Sequence, residues 1–200
     1  MKAPKINFKS FIFELVIVFV GVYGAFELNR YQEHQREQKL KVNYFNSFQS
    51  ELVKLSSDIH TNQRVIDRKL HELDSAWAAG GQPELTPLKI YFGGQMLITK
   101  AGFNDDVFTQ MSANLSASLS GGYDHVQAVS QQAREFNQTC RMHLISNRPI
   151  EFYDRQGKLK PQFNWYVEDL HTLKFYFDRL DQMITQGALP ATREVLKELN

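Results

Sequence analysis

The sequence predicts an all-α protein in which an N-terminal transmembrane helix continues into a helical stalk and a multi-helix bundle. Three observations predict it: an apolar run from Phe11 to Phe26 behind a basic terminus, apolar residues spaced seven apart from Phe45 to Leu73, and Gly/Pro punctuation between long stretches of helical period. The division that follows is residues 1–28 as membrane anchor, 29–80 as stalk and first long bundle helix, and 81–200 as the remainder of the bundle.

The anchor comes first. Lys2, Lys5 and Lys9 precede a run in which Glu14 is the single charge before Glu27. Sixteen residues of helix reach roughly 24 Å, so Leu28 and local thinning of the bilayer are needed to complete a crossing. A cleaved signal peptide is the alternative, with Val22-Tyr23-Gly24 before Ala25 as the processing site. Against it, Glu14 breaks the apolar stretch and helix-forming sequence follows without a turn. Basic residues are nearly balanced across the run, with Arg30, Arg36, Lys39 and Lys41 on the far side. A short N-terminus ahead of a long domain still favours a cytoplasmic N-terminus and a periplasmic C-terminal domain.

Within the run, helical geometry puts Gly21, Ala25 and Val18 within roughly 40° of the Glu14 direction. Glu14, Val18, Gly21 and Ala25 thus form a candidate membrane helix-packing face, with Gly21-x-x-x-Ala25 in the spacing that lets two helices approach closely. An intramembrane carboxyl points to protein or water, yet Glu14 lies only about 4.5 Å inside the apolar boundary by helix rise, within reach of headgroups.

The stretch Phe13-Glu-Leu-Val-Ile-Val-Phe-Val-Gly-Val-Tyr-Gly-Ala-Phe-Glu-Leu-Asn-Arg-Tyr31 resembles the opening of an uncharacterised bacterial family of single-pass membrane proteins. The matching positions are Glu14, Gly21, Ala25, Asn29 and Tyr31; Phe13 replaces a common Gly, and Tyr31 the usual Trp. Phe103 to Leu115 resembles the family's middle segment, with Ala113 for its Gly. The resemblance implies a Glu-containing span and a helical extracytoplasmic domain, and carries no activity.

Residues 29–41 read as a solvated stalk. Beyond them, Phe45, Leu52, Ile59, Ile66 and Leu73 with Phe48, Leu55 and Ala76 form one stripe, interrupted at Asn62 and Lys69, which favours a bundle helix over a coiled coil. Gly80-Gly81-Gln82-Pro83 ends it. Thr86-Pro87 predicts a short helix to about Thr99, with a hairpin about Gly93-Gly94 as the alternative. Asn104-Asp105-Asp106 opens a helix carrying Val107, Phe108 and Met111. After Gly121-Gly122 a long helix is expected over 123–146, burying Val126, Val129, Ala133, Phe136, Cys140 and Leu144. Asp154–Gly157 reads as a turn. Pro161 opens a helix to about Gln186 with the stripe Phe163, Val167, Leu170, Leu173, Phe177, Leu180 and Ile184, while Trp165 and Tyr176 broaden its apolar surface. Gly187 and Pro190 set off a final short helix.

Function classes narrow by exclusion. With 23 basic and 22 acidic residues the net charge is +1, so nothing marks a nucleic-acid surface. The lone Cys140 permits neither an internal disulfide nor a cysteine zinc site. The histidines at 34, 60, 71, 125, 143 and 171 are scattered, and no phosphate loop, metalloprotease or nucleophile-elbow motif occurs. The expectation is a non-catalytic interaction module without cofactor or metal, partnered by membrane lipid and by protein or itself. The alternative is an accessory subunit of a transport or energised complex that meets a neighbouring span through Glu14. A sensory ligand-binding bundle is a third shape-compatible reading, but no second span or output domain accompanies it.

Overall fold

The computed structural model describes the chain except residues 1–7, 94–95, 99–112, 145–148 and 200, and describes no side chains for 8–12, 113–120 and 149. Five α-helices are described: α1 (Phe8–Ala78), α2 (Ala113–His143), α3 (Pro149–Phe152), α4 (Asn164–Gln182) and α5 (Leu189–Leu199). Among the described residues β-pairing is limited to one bridge, Tyr153 with Leu159, flanking the expected turn in which Gly157 has φ 79°. The helix expected from Asn104 lies outside the described residues.

The 71 residues of α1 make a rod about 105 Å long. Burial begins only at Lys41. From there the seven-residue stripe is the floor of the core: Phe45, Leu52, Ile59, Ile66 and Leu73 are all buried, with Phe48 and Leu55 beside them. Helices α4 and α5 pack on this stripe, and α2 packs on α4. The α2 stripe from Val126 to Leu144 is buried as its period requires. On α4 the buried set is Tyr166, Leu170, Leu173, Phe177 and Leu180, whereas Phe163 and Val167 are only half-buried. The apolar face is rotated towards Tyr166 because its ring packs against Phe136 and its phenol has a partner to reach.

The end of α1 follows from its glycines. Gly80 adopts φ 73°, Gly81 N–H donates to Ala76 O at 2.8 Å and Gly80 N–H to Trp77 O at 2.9 Å. This is the Schellman closure, which satisfies terminal carbonyls and requires a residue that tolerates the left-handed region.

Three sequence expectations are corrected. Residues 81–93 are neither helix nor strand but an irregular strap crossing the bundle, with Leu97 and Ile98 helical beyond it and Gly94 and Thr99 outside the described residues. Leu85, Ile90, Phe92 and Met96 sink into the core. The strap's main chain bonds to side chains: Asn137 accepts from Ile90 N–H at 2.9 Å and donates to Ile90 O at 2.7 Å. Tyr153 donates to Pro83 O, Lys69 to Glu84 O, Tyr166 to Thr86 O, Asn62 to Tyr91 O and Ser130 to Phe92 O. Buried peptide groups need partners, and these helices supply them, so no regular structure is required of the strap.

Second, α2 runs through Gly121-Gly122 instead of starting after them. Each glycine lowers helix stability by only about 1 kcal/mol relative to Ala, which the packing of the rest of α2 overrides. Third, no break separates α4 from α5: a π-helical turn, Met183–Ala188, joins them. Pro190 has no N–H to donate and its ring clashes with the carbonyl four residues back in regular α-helix. The wider turn just before it changes the backbone register there.

Among the described residues no helix is long and apolar enough to cross a membrane. From Phe13 onward, a stretch of spanning length takes in Glu14, Glu27 and Arg30. The all-helical bundle is therefore observed, and the transmembrane helix is not shown. Phe11 and Ile12, which open the apolar run, lie outside the described side chains.

Asn137→Ala leaves an inward-facing N–H and C=O of the strap without partners. The expected loss is about 2–4 kcal/mol in urea unfolding followed by far-UV circular dichroism, against a change of under about 0.5 kcal/mol for the exposed neighbour Gln138→Ala.

Candidate functional site

The N-terminal part of α1 is the most unusual surface of the molecule. From Phe13 to Tyr31 every described side chain is exposed, including Phe19 at 72%, Val20 at 66% and Val22 at 65%. These residues lie around the whole circumference, so no single neighbouring helix can cover them. Contiguous apolar surface of this extent is rare on a monomer in water. Glu14, Val18, Gly21 and Ala25 are all exposed here, on one face as helical geometry demands. A Cβ added at Gly21 meets no atom within 4 Å, so that face is open to a close approach. The stalk beyond it is polar and locally paired: Arg30 meets Glu27 at 3.4 Å and Gln35 donates to the Tyr31 hydroxyl at 2.8 Å.

A second arrangement lies on the seam between α1 and α4, beside an open groove of about 710 Å³. Asp181 accepts from Ser56 Oγ at 3.2 Å and lies 3.3 Å from His60 Nε2. Further along, Gln63 donates to Asp178 at 2.8 Å and Lys174 pairs with Asp67 at 2.6 Å. The Asp67 hydrogen bond is the main reason the Lys174 ammonium is held above its ordinary range. Serine, histidine and aspartate meet here, but with the wrong connectivity for nucleophilic catalysis. A catalytic serine passes its proton to an imidazole that the carboxylate orients; here serine and imidazole both turn to the carboxylate. The seam registers two antiparallel helices. The sequence leaves His60 as one of six scattered histidines, because its partner Asp181 is 121 positions away and only the fold joins them.

The remaining titratable groups of the core are structural. Burial pushes the Cys140 thiol up from 9.0 to about 11, opposed by a hydrogen bond with the Leu88 backbone, which is the reverse of what a reactive thiolate needs. Burial also raises the Tyr166 phenol well above its ordinary range. Lys69, 5% exposed, reaches Glu72 at 2.8 Å and Glu84 O at 3.1 Å, so a charge sits at the edge of the core with both a counterion and a carbonyl. Among the described residues no group of three or more His, Cys, Asp or Glu side chains is placed to hold a metal ion. No family model, curated protein or solved structure matches the chain.

The Cys140 environment is testable. At pH 8, iodoacetamide is expected to modify Cys140 at least a hundredfold more slowly in the native chain than in urea, as read by mass spectrometry. Because the folded thiol titrates higher than the unfolded one, its contribution to stability is complete below about pH 9. It is lost as pH climbs towards 11. In Cys140→Val that part of the alkaline loss disappears from the urea midpoint.

Proposed function

We propose that this chain is a membrane-anchored helical interaction module, non-catalytic, that displays its bundle in the periplasm of a bacterium and meets protein partners or further copies of itself there. The observation that carries the reading is the fully exposed apolar circumference of α1 from Phe13 to Phe26. In water that surface is unfavourable at roughly 25 cal/mol for each Å² exposed, and a lipid bilayer removes all of it at once. Phe11 and Ile12 extend the run on its N-terminal side, and Leu28 on the other. The resemblance of Phe13–Tyr31 to a bacterial family of single-pass membrane proteins supports the same placement. The Ser56 hydroxyl turned to a carboxylate instead of an imidazole, the suppressed thiol of Cys140 and the structural roles of Asn62, Lys69 and Ser130 support a non-catalytic bundle.

The open face at Gly21 favours a second reading, in which the chain is an accessory subunit of a transport or energised complex. There Glu14, Val18, Gly21 and Ala25 meet a neighbouring span.

Full-length chain is expected to stay in the membrane pellet through alkaline carbonate washing. A C-terminal alkaline phosphatase fusion is expected to be active and a C-terminal green fluorescent protein fusion dark. Release by carbonate, or the reverse reporter pattern, overturns the anchored periplasmic reading. Co-purification in mild detergent separates the two readings. Loss of an associated protein in both Glu14→Gln and Gly21→Leu selects the accessory subunit, and its retention selects the module.

A further inference from the structure

The π-helical turn does more than accommodate Pro190. Between it, the middle of α1 and the Gly121-Gly122 stretch of α2 lies a cavity of about 410 Å³. Its floor is the buried set Phe48, Leu52, Val126 and Ile184, and exposed Gly121 and Gly187 stand at its rim. A Cβ placed on either of these rim glycines meets nothing within 4 Å, so the space continues up to the backbone. Among the described residues no charged or hydrogen-bonding side chain lines it.

Size and chemistry together narrow what fits. The volume is within the range of small-molecule sites, about 300–1,000 Å³. Water inside would find no side-chain partner, and apolar cavities accept apolar guests in its place. A guest with a charge or a ring nitrogen would lose its hydration against this lining without compensation. The part that enters is therefore hydrocarbon only.

We propose that this cavity binds one acyl chain, with the carboxyl or lipid headgroup left outside at the Gly121–Gly187 rim. The bilayer that holds the anchor, roughly 30 Å of helix from the cavity, is the source of such chains, and in that respect the proposal rests on the membrane-anchored reading. The binding chemistry itself does not.

The test uses the full chain in phosphatidylcholine vesicles and two photoreactive probes. One is hexadecanoic acid bearing a mid-chain diazirine, the other phosphatidylcholine carrying the same chain. After irradiation and proteolysis, label is expected on peptides containing Met96, Val126 and Met183–Ala191. Labelling by the free acid assigns the occupant to monomeric fatty acid, and labelling by the phospholipid alone assigns it to a chain drawn from the bilayer. Filling the space with Ala191→Trp, or independently with Gly187→Leu, is expected to reduce this label at least tenfold with the unfolding temperature kept or raised. Label confined to residues 13–28 in the wild-type chain, or undiminished in both folded variants, overturns the proposal. If carbonate releases the chain yet the free acid still labels the cavity, the anchored reading falls and the acyl site stands.

Discussion

The bundle is organised around a segment with no secondary structure of its own. Residues 81–93 cross the core, and their peptide groups, had they been left without partners, would each have opposed folding by about 1–3 kcal/mol. Asn137 answers both groups of Ile90, and Asn62, Ser130, Tyr153, Tyr166 and Lys69 answer carbonyls along the way. The consequence reaches the helices. Each of these side chains has to stand at one height and one rotation on α1, on α2 or near α4, so the strap sets the relative register of the elements it crosses. The Phe92 ring, edge-on to Phe177 at 5.1 Å, and Leu85, Ile90 and Met96 then fill the gaps that the polar clamps leave.

The same arrangement explains polar residues at positions where apolar ones are expected. Asn62 and Lys69 fall on the stripe of α1 and interrupt its heptads. In a coiled coil such residues specify partner and register at some loss of stability. Here they face a piece of the same chain and are saturated by it, so that among the described residues no buried side-chain nitrogen or oxygen lacks a partner.

How much was legible follows from which interactions are local. The periodic stripes of α1 and α2, the Gly80-Gly81 stop and the turn at Gly157 depend on residues within a few positions of one another, and the structure reproduces them. The strap was not legible. Thr86-Pro87 is a sound helix start by local chemistry, and what overrides it is Asn137, forty-seven positions from Ile90. The Asp181 seam was hidden for the same reason. Gly121-Gly122 and Gly187-x-x-Pro190 were read as breaks because glycine and proline usually are. Packing kept α2 continuous, and a π-turn kept α4 joined to α5. For the N-terminal face, helical periodicity alone placed Glu14, Val18, Gly21 and Ala25 together, while the structure adds that the face is open. Which molecule covers it depends on contacts made outside this chain.

Because α1 passes from the apolar segment through the stalk to the core without interruption, the two ends share one rotational phase. Each residue of helix advances the azimuth by about 100° and the height by about 1.5 Å. A single residue inserted between Asn29 and Leu40 would therefore turn the bundle about a quarter of a revolution relative to the Glu14 face while scarcely lifting it. Seven inserted residues would lift it about 10 Å and nearly restore the heading. The stalk thus behaves as a shaft with an index mark, and its length in residues, more than its composition, decides which side of the bundle looks toward whatever the Glu14 face meets.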